Sequence, residues 1–307
     1  MEKNEIVSDN LLENKKKENI DKGCKAETGV LYLVATPIGN LEDITFRAVR
    51  ILKEADLIAA EDTRNSLKLL NHFEINTPMT SYHEFNKYDK ADVLIEKLLE
   101  GKNIAVITDA GTPGISDPGE VLVQKCYEAG VVCIPVPGAV AAVNALIASG
   151  MPTRRFTFEA FLPQDKESRR RIIEELKNET RTIIIYEAPH RLIRTLEELE
   201  KIFGGERELT IAKELTKKHE HFKKTNFKEA LQFYNEVAPR GEYVLVIHGK
   251  PYEEIREEQK AEYETISIED HIKQLMEDGL TKKDAVKKVA ELRGLPKREV
   301  YLHGIDI

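Results

Sequence analysis

The sequence has few cysteines and none of the short motifs that mark the commonest catalytic chemistries. Its 307 residues include three cysteines, Cys24, Cys126 and Cys133, an odd number without a CxxC pair, so we expect a reducing compartment and no disulfide framework. There is no HExxH motif and no cysteine pair to ligate zinc, and no metal centre is therefore predicted. Because GxSxG is absent too, the sequence shows no hydrolase nucleophile.

Long apolar runs and an excess of positive charge are also missing. No apolar stretch reaches the ~18–20 residues needed to cross a bilayer, and the first residues lack the apolar core of a signal peptide, so we expect a cytoplasmic protein without a membrane partner. The absence of GxGxxG, GxxxxGKS and GxxxxGKT argues against an ordinary dinucleotide fold and a P-loop NTPase. A net charge of −8 opposes nonspecific binding to phosphate backbones, so a nucleic-acid partner would need a local basic surface.

The most informative segment present is Asp109-Ala-Gly-Thr-Pro-Gly-Ile-Ser-Asp-Pro-Gly119. It follows the apolar run 104–108 and precedes a helical pattern at 120–129. Its prolines restrict the backbone, and its glycines allow positive φ and close approach to a ligand. We therefore predict a rigid binding loop at the carboxyl edge of a sheet. An ordinary strand-to-helix turn is the alternative, but such turns usually take about two to six residues.

The chain divides into four segments. Residues 1–29 are charged and poor in aromatic residues, which predicts a disordered tail. Residues 30–150 and 151–250 each alternate apolar runs with helical patterns, which predicts two α/β domains with mostly parallel sheets. Residues 251–307 begin with a charged stretch typical of a linker and continue as a small helical module. The predicted strands are 31–35, 57–60, 79–82, 104–108, 131–136, 156–161, 182–186, 208–213 and 242–248.

The first helix illustrates the pattern on which these assignments rest. Phe46, Val49, Leu52 and Ala55 recur at the spacing of three to four residues that is typical of a buried stripe. Thr45 directly precedes them and can cap the helix. We therefore predict a helix with these four side chains in the core.

Polar residues collect where the predicted strands end. A second tight turn, Thr36-Pro-Ile-Gly-Asn40, follows the first strand and would share its edge with the 109–119 loop. Taken singly, such clusters can be helix caps or solvated turns. Together they place acids, bases and histidines repeatedly on one edge, which indicates a functional site. The other clusters are Glu-Asp-Thr-Arg at 61–64, Ser-Tyr-His-Glu at 81–84, Tyr-Glu-Ala-Pro-His-Arg at 186–191 and Lys-Glu at 213–214.

These motifs, with the segments 31–45, 60–64 and 212–216, closely resemble the small-subunit ribosomal RNA methyltransferases of the tetrapyrrole-methylase-like class. The resemblance covers about residues 29–250 and extends to the C-terminal helices. It implies methyl transfer from S-adenosylmethionine to the ribose 2′-hydroxyl of a cytidine in the decoding region of 16S rRNA. It also implies two α/β domains with the cofactor in the cleft between them, and a homodimer. Two segments depart from the family pattern. Pro137-Gly138 is followed by Ala139-Val140 where the family commonly has a proline and then a small polar residue, and Ala188 stands where serine is usual.

The resemblance also implies roles for individual residues. A loop that presents peptide N–H and C=O groups can hold S-adenosylmethionine without a basic phosphate cradle. A ribose hydroxyl is weakly acidic, so a general base would accelerate the transfer by roughly 10²–10⁴-fold. The expected cofactor contacts are Pro37, Thr112, Pro113, Gly114, Ile115, Ser116, Tyr186 and Ala212. The candidate bases are Glu61, Asp62, His83 and Glu187, and the candidate phosphate or ribose contacts are Arg64, His190 and Arg191.

An acidic protein that acts on 16S rRNA or the small ribosomal subunit needs local positive charge. The runs 169–171, 217–218 and 223–224 could supply it, and the basic residues of the C-terminal module outnumber the acidic ones between 282 and 299. We therefore predict that the module contacts RNA. Two alternatives remain: a methylase of the same class that acts on a tetrapyrrole or a protein, and a noncatalytic RNA-binding or ribosome-assembly protein with an α/β scaffold.

Overall fold

A computed structural model describes residues 28–304 of the chain. The described chain forms two compact units. Unit 1 comprises residues 28–145 together with Lys213–His221, and unit 2 comprises Leu146–Ala212 together with residues 222–304. Residues 1–27 of the predicted disordered tail lie outside the described residues. Within the described part of the chain, no helix has the length and apolar character needed to cross a membrane.

Unit 1 contains a five-stranded sheet in the order β3-β2-β4-β1-β5. All of its strand pairs are parallel, with Leu31 of β1 opposite Ile104 of β4 and Cys133 of β5. The predicted α/β architecture is confirmed, and the strand ends differ from the predicted ones by one residue at most. The strands are β1 (Val30–Val34), β2 (Leu57–Ala60), β3 (Met79–Ser81), β4 (Ile104–Ile107) and β5 (Val132–Val136).

Helices cover both faces of this sheet. Alternate strand residues point to opposite sides, so each face contributes side chains to a core of its own. Ile58 and Ile107 belong to one hydrophobic core, with α1 and α2. Ala59 and Val106 belong to the other core, with α3 and α4. The helices are α1 (Phe46–Glu54), α2 (Thr63–His72), α3 (Lys87–Leu99), α4 (Gly119–Ala129) and α5 (Ala141–Ala148).

The first helix corrects one prediction about the core. The Thr45 hydroxyl accepts a hydrogen bond from the Ala48 N–H at 3.1 Å, so the predicted cap is confirmed. Phe46, however, is 99% exposed, and the prediction that it is buried was wrong. The buried stripe instead begins at Ala48 and continues through Leu52. Because Phe46 precedes Ala48 by two residues, or about 200° around the helix, its side chain lies on the solvent face.

Unit 2 contains a second five-stranded sheet in the order β6-β7-β10-β8-β9. Strands β6 and β7 are parallel, whereas β7 and β10 are antiparallel, with Glu187 opposite Tyr243. The sequence did not reveal β9, because it is a charged edge strand in which one side chain, Thr225, is buried. The strands are β6 (Phe156–Phe161), β7 (Thr182–Glu187), β8 (Glu208–Lys213), β9 (His221–Asn226) and β10 (Tyr243–Ile247). Helices α6 (Lys166–Glu175), α7 (Leu192–Phe203) and α8 (Phe227–Glu236) contribute to the core of this unit.

Four further helices follow in the described part of the chain: α9 (Tyr252–Glu264), α10 (Ile268–Glu277), α11 (Lys282–Arg293) and α12 (Lys297–His303). The charged stretch predicted as a linker is helical, and Glu254 of α9 pairs with Arg207 at 3.5 Å. The predicted caps at Ser267 and Thr281 are confirmed, because each hydroxyl accepts a hydrogen bond from the N–H three residues later. A small core formed by Ile272, Val289 and other apolar residues holds the module together.

Candidate functional site

The loops that follow β1 and β4 are hydrogen-bonded to each other. The Thr36 N–H donates to the Gly111 carbonyl at 2.8 Å, and the Gly111 N–H donates to the Thr36 carbonyl at 3.2 Å. The Thr36 hydroxyl lies 3.3 Å from the Thr108 carbonyl. The prediction that these two loops share the carboxyl edge of the sheet is therefore confirmed. Residues Pro37, Thr112, Pro113, Gly114, Ile115 and Ser116 all lie on this pair of loops.

A single carboxylate organises the second loop. Asp117 accepts hydrogen bonds from the N–H groups of Gly114, Ile115 and Gly119, at 2.7–3.1 Å. These three N–H groups are therefore directed at Asp117, although the sequence suggested that the peptide groups of the loop serve a ligand. The role of Asp117 was missed, and the available signal was an aspartate placed two residues before Gly119. The Asp117 side chain therefore braces the turn between residues 114 and 119.

The glycines of this loop occupy conformations that other residues rarely adopt. The φ angles of Gly111 and Gly114 are +87° and +89°. A Cβ atom at Gly114 would lie 3.4 Å from Leu33 Cδ2, and one at Gly111 would lie 3.3 Å from Ile38 Cγ2. Ser116 also has a positive φ, +65°, without being glycine. The positive φ angles thus fall on glycine at 111 and 114, where they are unstrained, and on serine at 116, where they cost conformational energy.

Acidic side chains gather where β2 and β4 end. The Asp109 N–H lies 3.4 Å from a carboxylate oxygen of Glu61, and the Asp62 N–H lies 3.2 Å from a carboxylate oxygen of Asp109. The Asn65 amide nitrogen also lies 3.3 Å from the Asp109 carboxylate. Asp109, which the sequence did not single out as a site residue, thus connects the ends of the two strands.

The two neighbouring carboxyl groups at this edge have opposite pKa shifts. Burial raises the pKa of Glu61 above its ordinary value, and the negative charges of Asp109 and Asp117 add to this effect. Hydrogen bonds from Arg64 lower the pKa of Asp62, whose carboxylate lies 3.0 Å from Arg64 Nη2 and also caps α2. Carboxyl groups whose environments separate their pKa values in this way often have different roles in a reaction.

Strand β3 brings a histidine to the same edge. The Tyr82 hydroxyl donates to the Pro118 carbonyl at 2.8 Å, which ties this strand end to the 109–119 loop. The His83 N–H donates to the Asn86 side chain at 2.8 Å. The Nδ1 atom of His83 is buried, and none of the described residues forms a hydrogen bond with it. An unsatisfied buried nitrogen of this kind is rare and is compatible with a ligand contact.

In unit 2, the contacts of Glu187 and Arg191 lie within the unit. The Glu187 side chain is fully buried and accepts hydrogen bonds from the Thr195 hydroxyl at 2.5 Å and the Ala188 N–H at 2.8 Å. Arg169 and Arg191 lie 4.0 and 3.6 Å from its oxygens. Arg191 Nη2 also donates to the Leu162 carbonyl at 2.6 Å. These contacts fix the segment after β7.

The other predicted residues of unit 2 occupy different settings. Tyr186 packs edge-on against Phe158 and Phe161, with ring centroids 4.9 and 5.6 Å apart. His190 is exposed. Ala212 lies on β8 with no exposed surface, and strand β10 separates β8 from β7. The sequence did not reveal the aromatic contacts of Tyr186, because they depend on the pairing of β6 with β7.

The structure shows contacts for the residues at which the sequence differs from the family pattern and for one of the basic runs. The Thr112 hydroxyl donates to the Ala139 carbonyl at 3.2 Å, a backbone contact that does not depend on the side chain at 139. Ala188 likewise uses its N–H to contact Glu187. The basic run 169–171 was predicted as a possible RNA contact, but Arg169 is 3% exposed, so the prediction was wrong for this residue.

Residues 30–231 match the family of tetrapyrrole (corrin/porphyrin) methylases. The chain belongs to this family. It is 48% identical over 279 residues to ribosomal RNA small subunit methyltransferase I of Synechocystis sp., covering 91% of this chain and 98% of that protein. It is also 48% identical over 277 residues to the protein of the same name from Bacillus subtilis, covering 90% of this chain and 94% of that protein.

Solved structures share the fold at low sequence identity. The methyltransferase CobJ has a TM-score of 0.56 and 18% identity, covering 73% of this chain and 100% of that chain. A diphthine synthase has a TM-score of 0.57 and 14% identity, covering 72% of this chain and 90% of that chain. Together with the curated relatives, the family match makes this tetrapyrrole-methylase family member an S-adenosylmethionine-dependent methyltransferase.

The edge of unit 1 fits such a cofactor chemically. S-adenosylmethionine carries a positive sulfonium and an α-amino group, and Glu61 and Asp109 place carboxylates at the ends of β2 and β4. The Asp117-braced loop supplies a fixed backbone surface without a basic phosphate cradle. The donors and acceptors of this edge therefore suit a cationic ligand better than a triphosphate.

Proposed function

We propose that the protein methylates the ribose 2′-hydroxyl of a cytidine in the decoding region of 16S rRNA. Support for the RNA substrate comes from relatives that are 40–49% identical over about nine-tenths of the chain and are named ribosomal RNA small subunit methyltransferase I. The observation that carries the chemistry is Glu61, a half-buried carboxyl group with a raised pKa beside the paired loops.

Glu61 is our proposed general base. The Asp62 carboxylate is held by Arg64, which lowers its pKa and makes it a weak proton acceptor. Glu187 has no exposed side-chain surface and is bonded within unit 2. Glu61 lies at the edge, and its raised pKa makes the ionised form a better proton acceptor. His83 is the second candidate because its buried nitrogen is unsatisfied by any described residue.

The reaction needs a positioned hydroxyl and an acceptor for its proton. Bound S-adenosylmethionine supplies an electrophilic methyl group. In the proposed step the Glu61 carboxylate accepts the 2′-hydroxyl proton as the ribose oxygen bonds to the methyl carbon. The bond between that carbon and sulfur would break, and its electron pair would leave with S-adenosylhomocysteine. We assign Arg64, whose side chain is 88% exposed, and exposed His190 to ribose or phosphate contacts, and Arg191 to holding the segment 186–191.

The C-terminal module is the proposed RNA-docking element. Lys283, Lys287 and Lys288 are exposed on α11, while Val286 and Val289 on the same helix are buried. One packed face and one cationic face suit contact with phosphates. The substrate can be free 16S rRNA or the assembled small subunit, and the homodimer implied by the family resemblance remains a prediction that light scattering can test.

The test is methylation followed by analysis of the nucleoside product. The protein is incubated with methyl-labelled S-adenosylmethionine and either unmethylated 16S rRNA or small subunits, and the digested RNA is analysed by mass spectrometry. We expect 2′-O-methylcytidine at one position. The family name also suggests a tetrapyrrole substrate, but a cationic helical module has no use with a small molecule. Methylation of a tetrapyrrole and not of RNA would overturn the proposal.

A further inference from the structure

An exposed aromatic ring stands beside the candidate site. Phe85 follows β3 and is 97% exposed, although a phenylalanine of a folded protein usually buries most of its ring. Its ring centroid lies 6.1 Å from that of His83, the edge residue with the unsatisfied nitrogen. An exposed ring at this place is therefore a candidate contact for a ligand of the site.

The backbone holds Phe85 in a fixed turn. The Asn86 N–H donates to the His83 carbonyl at 3.0 Å, and the Asn86 side chain accepts from the His83 N–H at 2.8 Å. Helix α3 begins at the next residue, Lys87. Two hydrogen bonds between His83 and Asn86 thus close the turn that carries Phe85. Binding of a ligand to the ring would therefore require little ordering of the chain.

The charged side chains nearest the ring are paired within the chain, so the flat apolar face of Phe85 is the feature that is open to a ligand. Glu84, which precedes Phe85, pairs with Lys87 at 2.5 Å, so its carboxylate is compensated. Arg64, at the start of α2 on the same edge, pairs with Asp62 at 3.0 Å while its side chain stays 88% exposed, so the guanidinium can still contact a phosphate. Aromatic rings combined with cationic side chains are typical of surfaces that bind single-stranded nucleic acids, in which unstacked bases lie on aromatic rings.

We propose that Phe85 is a stacking platform for an unpaired nucleobase of the RNA substrate next to the methylated nucleotide. The inference rests on the proposed function, because it takes RNA as the substrate. Stacking recognises the flat face shared by all bases, so Phe85 holds the strand and does not select its sequence. The platform would keep the strand open at the edge where Glu61 lies.

The test is the KM for RNA of Phe85→Ala. We expect KM to rise about fivefold or more, with kcat and the Kd for S-adenosylmethionine unchanged. Phe85→Tyr, which keeps a ring, should restore the wild-type KM. Tyr127→Ala is the matched control, because Tyr127 is 77% exposed in unit 1 but lies near the end of α4, which leads to the opposite edge of the sheet. This control should leave all three constants unchanged.

The possible outcomes distinguish a failure of the Phe85 stacking proposal from a failure of the proposed rRNA methylation. If the wild-type protein methylates rRNA and Phe85→Ala has the wild-type KM, the platform is wrong and the proposed function stands. If the wild-type protein methylates no rRNA, both are wrong. A change in oligomeric state of Phe85→Ala by light scattering, without a change in RNA affinity, would place the ring in a protein contact and overturn the platform. Quenching of 2-aminopurine placed beside the target nucleotide should occur with the wild type and be lost in Phe85→Ala.

Discussion

The carboxylate of Asp117 accepts hydrogen bonds from the N–H of Gly114 at 2.8 and 2.9 Å. Gly114 has a φ of +89°, a conformation that glycine adopts without steric cost. The conformation of this loop therefore depends both on the Asp117 carboxylate and on glycine at position 114. This relationship makes Gly114 the sharpest single position at which to test the cofactor site.

We expect Gly114→Val to abolish S-adenosylmethionine binding in calorimetry while the protein remains folded. A β-branched residue is strained at this φ, and its Cβ would lie 3.4 Å from Leu33 Cδ2, so the loop must change its conformation. The control is Gly130→Val, because Gly130 has a φ of +71° at the far end of α4, where an added Cβ would meet no other atom within 4 Å. It should cost similar backbone strain without loss of binding. Wild-type affinity in folded Gly114→Val would remove this loop from the cofactor site.

The loop also illustrates what the sequence could predict. Prolines, glycines and the preceding apolar run indicated a rigid turn at a strand end, because these signals are local. The function of Asp117 depends on which N–H groups the folded turn directs at it. The exposure of Phe46 and the burial of Arg169 were missed for a related reason. The face on which Phe46 lies depends on which of the alternative stripes of the helix packs on the sheet. The burial of Arg169 depends on its contacts with Thr195 and Glu198, which are distant in sequence.

Replacing the proposed base should slow the chemical step. We expect Glu61→Gln to lower the single-turnover rate by about 10²-fold or more at unchanged cofactor affinity. Asp62→Asn is the control, because asparagine also caps helices well and the Asp62 carboxylate is occupied by Arg64. It should retain the wild-type rate within about threefold. The opposite ranking of the two variants would assign the proton to Asp62.

The pH dependence follows from the raised pKa of Glu61. A general base must be ionised, so the single-turnover rate should fall as the pH drops through the Glu61 pKa. Because burial raises this pKa above the ordinary value of 4.5, the loss should begin at a higher pH than for an exposed carboxyl group. The rate of Glu61→Gln should lack this inflection. An inflection that persists in the variant would belong to another group and would remove Glu61 as the base.

The buried ion pairs of unit 2 predict a loss of stability. Arg169 is 3% exposed, lies 4.0 Å from Glu187 and pairs with Glu198 at 2.5 Å. Removing Arg169 takes one of two cations from the buried Glu187 carboxylate and a charged hydrogen-bond partner from Glu198, so we expect Arg169→Leu to lower the free energy of unfolding by about 1.5–3 kcal/mol. Exposed Arg170 provides the control, and Arg170→Leu should change it by less than about 0.5 kcal/mol in urea denaturation. Equal effects of the two substitutions would show that the pairs contribute little.

The C-terminal lysines should determine how RNA binding depends on salt. Lys283, Lys287 and Lys288 are exposed on α11, and each phosphate contact releases counterions when RNA binds. Replacing all three with alanine should weaken RNA binding and reduce the slope of log K against log salt by about 0.7–0.9 per lost phosphate contact. Three exposed lysines of unit 1, Lys53, Lys68 and Lys97, form the control triple, which removes the same charge from another surface. If both triple variants reduce the slope equally, net charge governs binding and the module does not dock the RNA. If only the α11 triple does so, with unchanged affinity for S-adenosylmethionine, the cationic face of the module contacts the substrate.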